Sequence, residues 1–526
     1  MIVEVRETAR GRWLQIAIFL VAAMATLSAV FTPWLPLGPD IYQHLVWDWQ
    51  VMRCLAEWQL PLWLPDLNAG FGNPGIRLYS PLGPVLTGTL GTVLGDAGRG
   101  LRSAAILAVF AVLVVAQRQT PSRSLMTGGA VLVSPMVLFS LFGRAAWSEF
   151  LSLPLMLWLL LRMVRGELEG VRDGVALGLL WLAHAPTTIM VGLVGVGSLV
   201  LHRSRSYTVR ALQVVGVGCC LTAWHWMPLL RETAFIEAER VMTGGMYEPA
   251  RNVLASETAH TPEINSWLVW VAVASLVSVL ATRLWAYHPR RTLLAVGCVV
   301  LASPLALPLW WMPGPHQLLQ FPWRLLLPGT LLLVTALVEV PERRAIGVAC
   351  VLVPLLFMPW APWVGVPKID ASLGWNEAGE VIASSIGGNP FLVDVRQHRP
   401  PAFADLERNL SLFGRTQRVL VSGDGEVAAI RRWSPLHREV EVTGAQPSTV
   451  ALRILDYPYW SVTTGDERAV EREVVPGVIA CRVPAGRHVL RVSWTGNPAA
   501  AVGQIVALVT ALLLVLWRRR LVGLSS

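Results

Sequence analysis

Residues 13–37, WLQIAIFLVAAMATLSAVFTPWLPL, carry no charged side chain and follow Arg6, Arg10 and Arg12. A run of this length and composition reads as a membrane-spanning helix. The arginines ahead of it place the N-terminus on the cytoplasmic side. The run is too long for a signal-peptide core and ends in no small-residue cleavage site, so it is expected to be retained. Apolar runs recur near 101–117, 125–143, 147–162, 209–230, 266–282, 293–312, 323–340, 345–363 and 498–517. The stretch 173–201 is too long for one span and short for two, and His184-Ala185-Pro186 interrupts it where proline breaks a helix. Counted as two short spans, it puts every arginine cluster and both termini on one side, which gives about twelve spans.

The totals agree. The chain has 526 residues, 54% hydrophobic and 15% charged, with mean hydropathy +0.52, which excludes an ordinary soluble domain. The net charge of +9 sits in short clusters (Arg203 and Arg205, Arg290 and Arg291, Arg518 to Arg520) between apolar runs. That distribution fits cytoplasmic loops and excludes nucleic acid as the partner. The six cysteines show no CxxC or metal spacing, and four lie in apolar runs as small hydrophobes. A Cys54–Cys481 disulfide outside the membrane is the one pairing left open.

On this topology the outer face receives the 38–81 loop, the Gly143–Glu149 turn, the 231–265 loop and a segment from about Val364 to Pro498. The segment 82–95 is too short to span and reads as re-entrant or interfacial. The long segment begins with a helical stretch, WNEAGEVIASSI, and then turns strand-like in STVALRILDYPYW, GVIACRVP and RHVLRVSW. The expected architecture is a mainly helical transmembrane domain (1–363), a small extracytoplasmic β-sandwich-like domain (364–497) and a final helix with a cytoplasmic tail (498–526).

Chemistry-bearing residues gather beyond the first span. In GPDIYQHLVWDWQ, Asp40, His44 and Asp48 share one face of an amphipathic helix over 40–59. Two readings fit: a solvated face with Asp40 as N-cap, or a site in which neighbouring carboxylates orient an imidazole. The next loop sets Trp58, Trp63, Phe71 and Tyr79 around Asp66, Asn68, Gly70, Gly72 and Gly75. Exposed aromatic faces suit a sugar ring or an isoprenoid, and Trp58 and Trp63 fit an aromatic belt equally well. RAAWSE places Arg144 and Glu149 at the rim of two spans, as an internal ion pair or as ligand-binding groups. His184 stands at the helix break, as a packing residue or a ligand contact. In HQLLQFPWRLLLP, Arg324 has the fork of donors that clamps a phosphate or pyrophosphate.

The blocks GPDIYQH, GFGNPGIRLYSPLGP, GRAAWSEF, LAHAPTTIM, LLQFPWRLLLP and ILDYPYWSVTTGD together resemble a family of bacterial polytopic membrane proteins. It is named for a 6-pyruvoyl-tetrahydropterin-synthase-related domain, and the chain also resembles its YfhO-like relatives in the GT-C glycosyltransferase superfamily. The resemblance implies a GT-C fold that takes a sugar from a polyprenyl-phosphate donor, with the acidic residue of the first outer loop, here Asp40, as base and His44 as helper. Arg144, Glu149, His184, Arg324, Asp66 and Tyr79 are the expected substrate-binding residues. The loop lacks the paired acidic motif of many GT-C enzymes, so no cofactor is expected and divalent-metal dependence is doubtful. The implied partners are membrane lipids, the lipid-linked sugar, and an envelope glycan, lipid or protein acceptor. The implied location is the bacterial inner membrane. Two other readings stay open: a transporter of a lipid-linked intermediate, and a non-catalytic scaffold subunit of a membrane complex.

Overall fold

A computed structural model describes residues 9–523 except 29–30, 233–247, 257–261, 313, 315–318, 341–343, 367, 374–411, 415, 465–471 and 474–476. The helix expected at 375–386 lies outside the described residues. The chain is mainly helical and forms two compact units, one of Met1–Ile41, Arg102–Cys219 and Met242–Gly365, the other of Tyr42–Leu101, Cys220–Val241 and Val366–Ser526.

By length and composition, five helices among the described residues can cross a membrane: Ala97–Gln119, Trp147–Arg165, Ala185–His202, Glu263–Thr282 and Pro498–Leu516. Two bent pairs, Pro121–Leu132 with Pro135–Gly143 and Pro289–Ala302 with Pro304–Trp311, bring the number up to seven where each pair counts as one span. The expected count of about twelve spans is therefore not confirmed among the described residues. The physical reason is punctuation: prolines at 135 and 304 break two expected spans, and helices such as Gly170–Ala183 are short. The break expected at His184 is present, between Gly170–Ala183 and Ala185–His202.

In the first unit, Trp147–Arg165 is the central helix, with 83% of its apolar window buried against 11% for Pro498–Leu516. It packs on Gly170–Ala183, Ala185–His202 and Leu326–Val338. A two-stranded ribbon pairs β1 (Trp34–Pro36) with β2 (Trp363–Gly365) in antiparallel register, Leu35 opposite Val364.

In the second unit the strand-like runs form two four-stranded sheets. Their strands are β3 (Val419–Val421), β4 (Glu426–Trp433), β5 (His437–Gly444), β6 (Ser448–Leu455), β7 (Trp460–Thr464), β8 (Arg472–Glu473), β9 (Val478–Val483) and β10 (Gly486–Trp494). The orders are β4-β5-β10-β7 and β3-β6-β9-β8, antiparallel throughout. Alternating apolar residues such as Val440, Val442, Val450, Leu452, Leu490 and Val492 share one core.

That core also takes in the loop after the Ile41–Ala56 helix. Trp63 and Phe71 are fully buried in it, Trp63 with its ring 5.4 Å from both Trp460 and Trp494, Phe71 against Phe413. Trp63 is therefore neither a sugar platform nor a belt residue, whereas Trp58 is 96% exposed. Gly72 sits beneath Trp63 at φ +82°, and a Cβ there would lie 2.0 Å from Trp63 Nε1. Gly72→Ala combines left-handed strain with overpacking, so a loss of about 2–4 kcal/mol is expected, measured by thermal unfolding of the detergent-solubilised chain. A second buried knot ties this unit together: Glu232 accepts from Arg77, from Tyr457 Oη at 2.9 Å and from Asn497 Nδ2 at 3.1 Å. Burial, reinforced by Glu232, pushes the Tyr457 hydroxyl up from its ordinary range.

The Ile41–Ala56 helix is buried on nearly every side, which corrects the expected amphipathic surface helix. His44 is 8% exposed and meets Trp47 edge-on at 6.5 Å, and Asp48 is fully buried and accepts from Thr87 Oγ1. Burial raises the Asp48 carboxyl well above the carboxylate range, against a smaller opposing effect of Thr87. A raised folded pKa gives stability that is present below the unfolded value and lost as pH rises. Asp48→Asn is thus expected to be more stable than the parent at pH 7, with the gap closing towards pH 4. Melting curves at the two pH values check this; a variant less stable at pH 7 would count against it. Cys54 and Cys481 are separately buried free thiols, so that pairing is not made.

Candidate functional site

Four charged residues of the first unit, Asp40, Arg144, Glu149 and Arg324, converge near the N-terminal end of the Trp147–Arg165 helix. The approach to it is irregular. Phe139–Gly143 is a single π-helical turn, and Ala145, fully buried, takes φ +55°. A π turn and a left-handed non-glycine residue are features that concentrate at functional sites because they aim side chains that a regular helix cannot.

That turn aims Arg144 at two carboxylates. Arg144 Nη2 donates to Asp40 Oδ2 at 2.9 Å, and Nη1 reaches both oxygens of Glu149 at 3.3 Å. The guanidinium also lies 5.3 Å from the Trp323 ring centroid. Glu149, 2% exposed, accepts further from Ser140 Oγ, and Arg324 Nε stands 4.0 Å from it. Arg324 is itself stacked over Phe321 at 5.0 Å. Two cations and two anions thus close to zero net charge in a buried network, as buried ions require.

Asp40 is the accessible end of this network. Its side chain is 35% exposed where Arg144 and Glu149 are 9% and 2%. One of its oxygens is taken by Arg144, and the other has no hydrogen-bond donor among the described residues. The backbone is fixed as well, since Asp40 N–H donates to the Arg144 carbonyl at 3.1 Å. Gly38 allows that approach: a Cβ there would lie 2.1 Å from the Arg144 carbonyl carbon. Gly38, Ser140 and Trp323 are parts of the site that sequence reasoning passed over. The glycine before Pro39-Asp40 and the tryptophan before Arg324 were the available signals.

His184 joins through hydroxyls. It caps the Ala185–His202 helix, with Nδ1 accepting from Thr187 N–H at 3.3 Å and 2.6 Å from Thr187 Oγ1. Ser152 Oγ lies 3.3 Å from Thr187 Oγ1 and donates to the Glu149 carbonyl at 2.7 Å. Asp40, Arg144, Glu149, His184 and Arg324 are therefore brought together within one unit.

The other expected site residues have different surroundings, all within the second unit. Asp66 accepts from Arg53 Nε at 3.1 Å and Gln50 Nε2 at 3.2 Å, which makes it a brace for the Ile41–Ala56 helix. Tyr79 packs on Trp47 at 5.6 Å, and His44 is buried beside the same tryptophan. No group of three His, Cys, Asp or Glu placed to hold a metal ion occurs among the described residues.

No protein-family model matches the chain, and no curated protein matches it. Among solved structures it is similar to the arabinofuranosyltransferase AftD from mycobacteria. One cryo-EM structure aligns at TM-score 0.40 with 19% identity over 71% of this chain and 27% of that one. A mutant form aligns at TM-score 0.45 with 15% identity over 92% of this chain and 42% of that one. The chain spans less than half the length of either.

Proposed function

We propose that this chain is a membrane glycosyltransferase that moves a sugar from a polyprenyl-phosphate donor to an envelope glycan, lipid or protein acceptor outside the cytoplasm of a bacterium. The observation that carries this reading is Asp40: a carboxylate one-third exposed, one oxygen open, that completes the charge balance of the buried Arg144, Glu149 and Arg324 beside a strained turn. The sequence blocks that resemble the GT-C superfamily and its YfhO-like branch support it from a separate direction.

In the proposed step the open oxygen of Asp40 takes the proton of an acceptor hydroxyl. The acceptor oxygen so freed attacks the anomeric carbon while the bond from carbon to the phosphate oxygen breaks, and the polyprenyl phosphate leaves with the electron pair. Arg324, a planar fork at the buried edge of the network, holds the developing charge. Arg144 fixes the Asp40 carboxylate in place, and Glu149 acts as a positioning residue through Arg144. His44 is assigned no role in this step.

The test is sugar transfer by membranes carrying the full chain, offered a panel of polyprenyl-phosphate-linked pentoses and hexoses. Release of polyprenyl phosphate coupled to a glycosylated product is expected for at least one donor. A second reading, a non-catalytic scaffold, is favoured by the pairing of both carboxylates with Arg144, since a closed ion network also serves a purely structural core. Stoichiometric copurification with a membrane partner and no donor consumption across the panel would select it.

A further inference from the structure

A cavity of about 480 Å³ opens in the first unit where the Ala97–Gln119 helix meets the Ala9–Thr26 helix and the turn at Pro121. Its lining is apolar at Leu113, Val114 and Leu125 and polar at Gln15, Gln117, Arg118 and Ser122. Positions 113–114 and 117–118 are successive turns of one helix, so the lining changes from hydrocarbon-like to cationic over roughly 6 Å along the helix axis. Among the described residues no carboxylate lines the cavity, and Arg118 is exposed and makes no ion pair with any of them. The neighbouring Arg123 is committed elsewhere, donating to the Val338 carbonyl at 2.8 Å.

We propose that this cavity holds one anionic phospholipid, its phosphate at Arg118 with Gln117 and Ser122 as further donors, and its acyl chains along Leu113, Val114 and Leu125. Charge complementarity selects the occupant. At the membrane boundary, a guanidinium with no protein counter-ion among the described residues is matched by an anionic headgroup, and the apolar lining of the same cavity is matched by acyl chain and by no soluble anion. The site is independent of the Asp40 network and does not rest on the glycosyltransferase reading.

The test is native mass spectrometry of the full chain released from mixed micelles that contain phosphatidylglycerol and phosphatidylcholine in equal amounts. The parent is expected to retain one phosphatidylglycerol in preference to phosphatidylcholine. Arg118→Gln is expected to lower that preference about fivefold, and Val114→Trp, which adds bulk to the apolar lining, to lower retention of both lipids. Arg205→Gln, an exposed arginine outside the cavity, is expected to change neither. Equal retention of the two lipids by the parent, an unchanged preference in Arg118→Gln, or an equal fall in Arg205→Gln would each overturn the proposal. In the last case general surface charge accounts for the binding.

Discussion

Asp40→Asn is expected to lower kcat/KM for sugar transfer by about 10³-fold, close to 4 kcal/mol of transition-state stabilisation. The amide has nearly the volume of the carboxylate and still offers Arg144 an oxygen, but it takes no proton from an acceptor hydroxyl. Asp40 is one-third exposed, so its ion pair with Arg144 is screened on one side and adds little to stability. The variant should therefore unfold within about 1 kcal/mol of the parent. Activity and melting temperature are measured on the same preparation. A normal rate in the variant would remove Asp40 from the chemistry, and a lost rate with a collapsed fold would make it a structural residue instead.

Much of this network was readable in the sequence, for a definite reason. Ionisable residues inside a largely apolar chain stand out, and Arg144, Glu149, His184 and Arg324 stood out singly. Their convergence was not readable, because Asp40 and Arg144 meet through Gly38 and a backbone hydrogen bond across 104 positions of chain. Periodicity misled at the Ile41–Ala56 helix. It set Asp40, His44 and Asp48 on one face and implied solvent there, whereas burial of His44 and Asp48 depends on what packs against the helix. The aromatic loop failed in the same way. Trp63 and Phe71 resemble exposed platforms locally, and only pairing with strands some 400 residues later turns them into core. The alternation of the strands themselves was plain, since side chains on a half-buried sheet repeat every second residue.

Glu149→Gln is expected to be the most destabilising single change in the network, about 3–5 kcal/mol, because removing one partner of a buried ion pair leaves an uncompensated buried charge. The parent cluster balances Asp40 and Glu149 against Arg144 and Arg324. Glutamine leaves one positive charge in excess beside a residue that is itself 2% exposed, and turns an amide donor towards two guanidinium groups. The compensating change follows from the same count. Glu149→Gln combined with Arg324→Gln restores neutrality, so the pair should be more stable than the sum of the single losses by about 1–3 kcal/mol. Sugar transfer should not return with it, because the phosphate clamp is gone. The double-mutant cycle, read by thermal unfolding and by transfer in parallel, separates the two roles of the cluster. Strict additivity in stability would mean that Arg324, 4.0 Å from Glu149, does not belong to the network. Recovered transfer would move the leaving-group charge to another residue.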